Sequence, residues 1–298
     1  MKKLIVLSLI VLMFIGCSTK SEKLIIGVIK PSLNHLPVEF GFETGDLNKE
    51  DYIIKQFSSG WETNEALAAG KIDAAILPFT YVWTDVAAGK KVKTLSFFER
   101  ESDGIIVSKE INDIAELDGK KIGVLRASTL DVFAEMFAKK HNISPEFVYF
   151  RTPPDMAAAL TSGEVDALSY YVPSIFKFDE NFKILHWYSD DDRLHPCCNF
   201  AANEEAISSK KEGLKKFLNG LKDSSDKLNN SPEVAFEAAQ EFFGLPFEYA
   251  KKSIYQTKYV PGLDESGKDF ERRTAEQMLE KGYIKKLPSS DEVYFEIK

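Results

Sequence analysis

The residues able to do chemistry in this chain are scattered, and their types favour recognition over catalysis. An imidazole beside a carboxamide, Asn34-His35, offers paired hydrogen-bonding groups. Hydroxyls occur in the pairs Ser58-Ser59 and Ser128-Thr129 and again at Thr80, each close to an expected helix start. Trp61, Phe79, Tyr170 and Tyr171 supply flat apolar surface, the last two with a polar tip that suits the wall of a small-molecule pocket. Arg126 brings a full positive charge, Asp103 a carboxylate and Cys197 a thiol. Ser128-Thr-Leu-Asp131 reads as a capping box, whose free amides would present partial positive charge to an anionic or strongly polar ligand group. Each residue also has a duller reading. Ser59 and Ser128 serve equally as N-caps, the aromatics as packing, and His35 as a satisfied loop histidine. Side chains alternate along a strand, so at most one of Tyr170 and Tyr171 faces a given cleft. His195 with Cys197 and Cys198 spans four positions without a second cluster, so no metal site is expected. Arg100, Glu101 and Asp103 read as a solvated charge run able to supply one contact beside a cleft.

The elements that must position these groups come in two similar sets. Leu24–Ile29 and Lys121–Leu125 are short β-branched runs, each followed by a polar loop and a helical pattern, as buried strands entering βα units should be. Downstream, Ala66-Leu-Ala-Ala-Gly70-Lys-Ile-Asp73-Ala74 and Ala159-Leu-Thr-Ser-Gly163-Glu-Val-Asp166-Ala167 each end a helix on glycine and begin a strand. The copies are offset by 96 residues from Gly27 to Gly123 and by 93 from Gly70 to Gly163, so two related lobes are expected. Ser59-Gly-Trp-Glu62 and Thr152-Pro-Pro-Asp155 look like matching helix starts, and Asp73 and Asp166 are expected to stabilise local turns. The resulting expectation is an α/β chain with two mixed sheets flanked by helices and a cleft between the lobes. Residues 24–101 with 199–298 form lobe 1, and 102–198 form lobe 2. Crossovers are placed at Glu99–Gly104 and His195–Asn199. Four amphipathic stretches follow, near 210–228, 232–243, 246–255 and 268–281, with Ser231 as an N-cap, and should pack on lobe 1.

The N-terminus predicts where the protein works. Lys2 and Lys3 precede a nearly unbroken apolar run from Leu4 to Ile15, too short to span a bilayer comfortably. Phe14-Ile15-Gly16-Cys17 resembles a bacterial lipobox, with residues 1–16 as signal peptide, Cys17 as the lipidated residue and 17–23 as linker. Losing Lys2 and Lys3 takes the formal charge from −8 to −10, which excludes nucleic acid as a natural partner. The adjacent pair Cys197-Cys198 provides no disulfide framework.

In this order and spacing, Phe57-Ser-Ser-Gly60, the two Gly-x-x-Asp-Ala segments and Ile114-Ala-Glu-Leu-Asp-Gly-Lys-Lys-Ile-Gly-Val124 resemble type II periplasmic-binding-protein-like solute receptors. The group is that of nitrate, sulfonate, taurine and thiamine-pyrimidine-precursor receptors. The resemblance covers about residues 24–230. Pro31-Ser-Leu-Asn34-His35 is similar to the Asn-His loop of pyrimidine-precursor receptors and of related pyrimidine synthases, and Pro196-Cys197-Cys198 to cysteine-bearing crossovers of some relatives. The resemblance implies a monomeric receptor that hands a small molecule to the membrane permease of an ABC importer. It needs no cofactor and sits at the outer face of the membrane or in the periplasm. The ligand is either a planar pyrimidine-like heterocycle or a sulfonate- or nitrate-type anion. Two alternatives remain: a pyrimidine-synthase-like enzyme and a sensory ligand-binding lipoprotein. Export argues against the first, as does the lack of a nucleophile elbow, a P-loop or an ordered Ser-His-Asp set.

Overall fold

A computed structural model describes residues 23–30 and 32–298. The expected signal peptide and Cys17 lie outside the described residues. Among those described, no helix is long and apolar enough to cross a membrane.

The chain opens with β1 (Leu24–Ile29), α1 (Leu36–Thr44), β2 (Tyr52–Phe57), α2 (Gly60–Ala68), β3 (Ala74–Pro78), α3 (Phe79–Ala87) and β4 (Val92–Arg100). It continues through β5 (Asp103–Ser108), β6 (Lys121–Leu125), α4 (Thr129–Lys140), β7 (Glu146–Phe150), α5 (Pro153–Ser162), β8 (Ala167–Tyr171) and β9 (Phe182–Trp187). The last part holds β10 (Pro196–Asn203), α6 (Glu204–Ser209), α7 (Lys211–Asn230), α8 (Pro232–Phe243), α9 (Phe247–Gln256), β11 (Lys258–Gly262), α10 (Glu265–Glu280) and α11 (Ser290–Val293).

Two mixed sheets result, ordered β11-β4-β10-β3-β1-β2 and β7-β6-β8-β5-β9. Their centres repeat: β1 lies parallel to β2 and β3 as β6 lies parallel to β7 and β8. Each sheet then takes an antiparallel strand from chain that has just left the other, β10 beside β3 and β5 beside β8. The repeat extends to single atoms. Asp73 Oδ2 accepts the Ile25 amide at 2.7 Å while the Asp73 amide donates back to the Ile25 carbonyl at 2.8 Å. Asp166 does the same to Lys121, at 2.9 Å in both directions. These aspartates therefore join the loop before one strand to the start of its parallel neighbour, in addition to shaping a turn. Gly70 and Gly163 take φ of +67° and +75°, the left-handed conformation that ends a helix without a Cβ clash. At Gly27 and Gly123 space is the constraint, since a Cβ would come within 2.5 Å of Ile72 and 2.6 Å of Leu168.

The four amphipathic stretches of the tail are α7 to α10, with β11 as an additional edge strand between α9 and α10. Ser231 stands at the N-cap of α8, but its side chain makes no capping bond. The expectation that these helices pack on lobe 1 needs correction for α10, which also lies against α4. There Thr274 meets Met136, Lys281 pairs with Glu135, and the Tyr283 hydroxyl donates to Asp131 at 2.6 Å. One apolar cluster accordingly contains residues of both sheets, with Phe133 of α4 packed against Phe79 of α3 and Phe270 of α10.

The links between sheets differ from expectation in two ways. Pro196–Asn203 is a fully buried strand at the middle of the first sheet, so the return link is residues 188–195. An eight-residue segment this apolar is stabilised better by two antiparallel neighbours than by exposure at a hinge. The charge run at the outward link is buried: Arg100, Glu101 and Asp103 are each under a tenth exposed. Its charges bind the links together. Arg100 donates to the Leu194 carbonyl at 2.9 Å and pairs with Asp264, while Glu101 accepts the Leu194 amide. Glu101 and Leu194 both adopt positive φ (64° and 56°), so backbone strain is stored where the chain crosses between sheets.

Candidate functional site

The carboxyl ends of β3, β4 and β8 and the starts of β5, β10 and α4 bring together a buried, polar cluster between the two sheets. Such strand ends are where open α/β folds receive ligands. Thr129 Oγ1 of α4 lies 3.6 Å from the Cys197 sulfur of β10, so groups from both lobes touch. Asn34 donates from Nδ2 to the Cys198 sulfur at 2.9 Å and leaves its Oδ1 buried without a partner. Both cysteines are free, with sulfurs 4.0 Å apart.

The dominant feature is a pair of buried carboxyls, Glu99 at the end of β4 and Asp103 at the start of β5. Both Glu99 oxygens and Asp103 Oδ2 lack hydrogen-bond partners. Burial, and then the Asp103 charge, push the Glu99 carboxyl well above its usual range; Ser102 and the two thiols lie near enough to offset part of this without reaching hydrogen-bond geometry. Asp103 is likewise raised by burial, and Cys197 and Ser102 offset part of it. The neighbouring cation, Arg100, is turned to Asp264 and Leu194. Hydrogen bonding to Cys198, burial and these carboxylates raise the Cys197 thiol, and burial raises Cys198, so both sulfurs are held protonated. Tyr81 of α3 closes one side; burial, then Cys198 and Asp131 nearby, push its phenol up. This buried group of acids and protonated thiols is able to accept hydrogen bonds and positive charge. Glu99, Cys197 and Cys198 also place their ligating atoms within 4.8 Å of one another, a donor set suited to a soft metal ion.

Several residues singled out from sequence are gathered here. Asn34, Asp103, Thr129 and Cys197 belong to the cluster, and the buried Thr80 hydroxyl is unpartnered at the start of α3. Of the tyrosine pair, Tyr171 sits opposite Asp103 in the sheet, whereas the Tyr170 hydroxyl is taken up by the Pro153 carbonyl at 3.0 Å, with the two rings 5.1 Å apart.

Others are placed elsewhere. His35 is fully buried, and its Nε2 accepts the Ile29 amide at 2.9 Å, so it terminates β1 from within. Burial, and then Lys30, depress its pKa to about 3, which keeps the ring neutral with its proton on the unpartnered Nδ1. Trp61 is 60% exposed on α2 because the first turn of that helix faces outward. Ser59 caps α2 through the Glu62 amide at 3.2 Å, and Ser58 donates to the Glu62 carboxylate. Phe79 is core. Ser128 donates to the Leu125 carbonyl at 2.6 Å and makes no capping bond, while Asp131 takes the Ala127 amide at 2.7 Å, so the expected capping box at α4 is not formed. Arg126 is exposed, with its guanidinium over the Tyr149 ring at 5.9 Å, and offers the cluster no charge.

Glu99, Tyr81, Ser102 and Cys198 are the members the sequence reading passed over. The apolar run ending at Phe98 made Glu99 look like the first residue of a solvated link. Its position opposite Cys198 across two antiparallel strands becomes visible only with the register.

The chain resembles known proteins in sequence and in fold. Residues 52–235 match the family described as NMT1/THI5 like. A binding protein of Brucella abortus is 23% identical over 199 residues, 64% of this chain; the chain spans 62% of that relative's length. Among solved structures, the ligand-binding component of an ABC-type import system from Staphylococcus aureus, solved with zinc bound, superposes with a TM-score of 0.79. It shares 19% identity over 92% of this chain and 97% of that one. The periplasmic aliphatic sulphonate-binding protein of Escherichia coli gives 0.76, at 17% identity over 93% of each chain. The periplasmic nitrate-binding protein of Synechocystis gives 0.73, at 16% identity over 92% of this chain and 84% of its own. Likeness at these identities establishes the periplasmic-binding-protein fold, and with a profile match over more than half its length, the chain belongs to the NMT1/THI5-like family.

Proposed function

We propose that this protein is the extracytoplasmic, lipid-anchored receptor of an ABC importer, and that its cleft closes on a small planar heterocycle bearing protonated or hydrogen-bond-donating nitrogens, as an aminopyrimidine does. The lobes would be residues 24–101 with 196–298, and 102–187, hinged at Glu101-Ser102 and at 188–195. The observation that supports the ligand class is the buried Glu99–Asp103 pair with its unsatisfied oxygens. An anion such as nitrate or a sulfonate would place its charge beside two buried carboxyls whose own ionisation burial already disfavours, while the expected cation, Arg126, is turned to Tyr149. A ring with an exocyclic amine or amidine edge instead donates to both carboxyls, accepts from Asn34 or Thr129, and stacks beside Tyr81 or Tyr171. Delivery to a permease rests on the company the fold keeps, in which sulfonate- and nitrate-binding proteins and an import component recur.

Calorimetry at neutral pH with an aminopyrimidine series, taurine and nitrate tests the ligand class. Saturable binding of the aminopyrimidines, weakened by Asn34→Ala, is expected. Tighter binding of taurine or nitrate would overturn it.

A further inference from the structure

We propose that His141, His186 and Asp191 form a second ligand site, for a zinc-class divalent metal ion, on the flank of the second lobe and separate from the cleft. His141 is the residue that ends α4, His186 lies near the end of β9, and Asp191 follows in the return link. Their ligating atoms all fall within 4.8 Å of one another, and Asp191 Oδ2 stands 3.0 Å from Nε2 of each histidine. The two imidazoles are 5.2 Å apart, ring centre to ring centre. A tetrahedral zinc ion with bonds of about 2.0–2.1 Å separates its ligand atoms by about 3.3 Å, so the two Asp191–histidine separations of 3.0 Å are close to edges of such a tetrahedron and the third lies within 4.8 Å. The donor set, two imidazoles and one carboxylate, suits zinc, cobalt or nickel better than calcium or magnesium. Side-chain exposures of 25%, 10% and 13% leave the triad half-buried, with solvent reaching each of the three side chains.

The surrounding contacts fit a site built to hold its carboxylate still. The Lys140 ammonium binds the other Asp191 oxygen at 3.0 Å, the outer-shell arrangement that orients a ligating carboxylate. The Asp191 amide donates to Tyr188 at 3.1 Å, which fixes the turn. A metal ion here would fasten the return link to the body of the second lobe. Asp192, the next residue, pairs with Arg273 of α10 at 2.9 Å, so the fastened link is the one that also reaches the tail packed on both lobes.

The test uses the full chain without a polyhistidine tag, stripped by chelator and titrated with Co²⁺. Saturable 1:1 binding with visible ligand-field absorption, and without the intense near-ultraviolet band of a thiolate ligand, is expected. His141→Ala and His186→Ala should each weaken it by roughly tenfold or more. A Cys197→Ser/Cys198→Ser double variant should keep the same spectrum, which separates this site from the thiols of the cleft. Zn²⁺ should raise the thermal midpoint of the parent and leave that of the histidine variants unmoved. Should His186→Ala fail to fold by circular dichroism, His141→Gln at the more exposed position carries the comparison. The proposal is overturned by absence of saturable binding, by an unchanged spectrum in the folded histidine variants, or by a thiolate band that the cysteine variant removes.

Discussion

Glu99→Gln is the change that most directly probes how the cleft is charged. In the native protein Glu99 is fully buried, its two oxygens are unpartnered, and Asp103 adds a like charge, so its folded pKa lies above the unfolded value near 4.5. The folded state then binds more protons than the unfolded one. The contribution of this group to stability is therefore fully present below pH 4.5 and is lost as pH rises towards its raised folded pKa. A fully buried carboxyl can rise by about 3–5 units, each worth ~1.4 kcal/mol, but relaxation and sharing with Asp103 reduce the net penalty to on the order of 2–3 kcal/mol at pH 8. Glutamine keeps the shape, removes the charge and lets its amide donate to Asp103. The ligand-free variant should accordingly melt about 5–10 °C above the parent at pH 8, at roughly 2–4 °C per kcal/mol, and within a degree or two of it at pH 4.5. Ligand binding should move the other way. Losing a charge-assisted bond of about 1.5–3 kcal/mol weakens an aminopyrimidine by roughly 10- to 150-fold. Scanning fluorimetry across pH and calorimetry at pH 7.5 read both effects. A variant no more stable than the parent at pH 8, with unaltered affinity, would refute the reasoning that these carboxyls form the receiving wall.

Three further outcomes follow from the placement of individual residues. His35→Ala removes the acceptor of the buried Ile29 amide and leaves a void in the core, so it should cost about 2–4 kcal/mol of unfolding free energy in urea titrations. Because the folded pKa of His35 is depressed to about 3, its contribution should be present above pH 6.5 and fade as the pH falls from there towards 3. Trp61→Ala, on an exposed turn, should leave ligand affinity within roughly twofold; a loss of tenfold would place the ligand on the α2 surface instead of between the sheets. Cys17→Ser should abolish fatty-acid labelling and release the protein from membranes, since stable attachment needs more than one acyl chain; a parent protein that takes up no label removes the anchor.

The fold was legible because it is written in local pattern. Two β-branched runs, two glycine-terminated helices and one repeated Asp at nearly constant offset are properties of short segments, and each segment forms its element for reasons contained within it. The amphipathic tail was legible on the same basis, since burying one face of a helix requires an apolar stripe every three to four residues. Asn34 and Thr129 could be singled out because strand ends and helix starts are local signals too, Asp103 because it lies in a charged run between two apolar ones, and Cys197 because Pro196-Cys197-Cys198 resembles cysteine-bearing crossovers of some relatives. What the sequence could not decide was pairing at a distance. β10 looked like a hinge because nothing nearby shows that its apolar residues are sandwiched between β3 and β4. Glu99 looked solvated because the register that sets it against Cys198, 99 residues on, is long-range. His35 and Trp61 have side chains that suit a binding site, but the first was claimed by the backbone of β1 and the second by the outer face of α2. Residue type and spacing fix which groups are available and which elements carry them. Only tertiary packing removes water from some and not others, and the cost of dehydrating a charge is what turned two ordinary acids into the cleft's most distinctive feature.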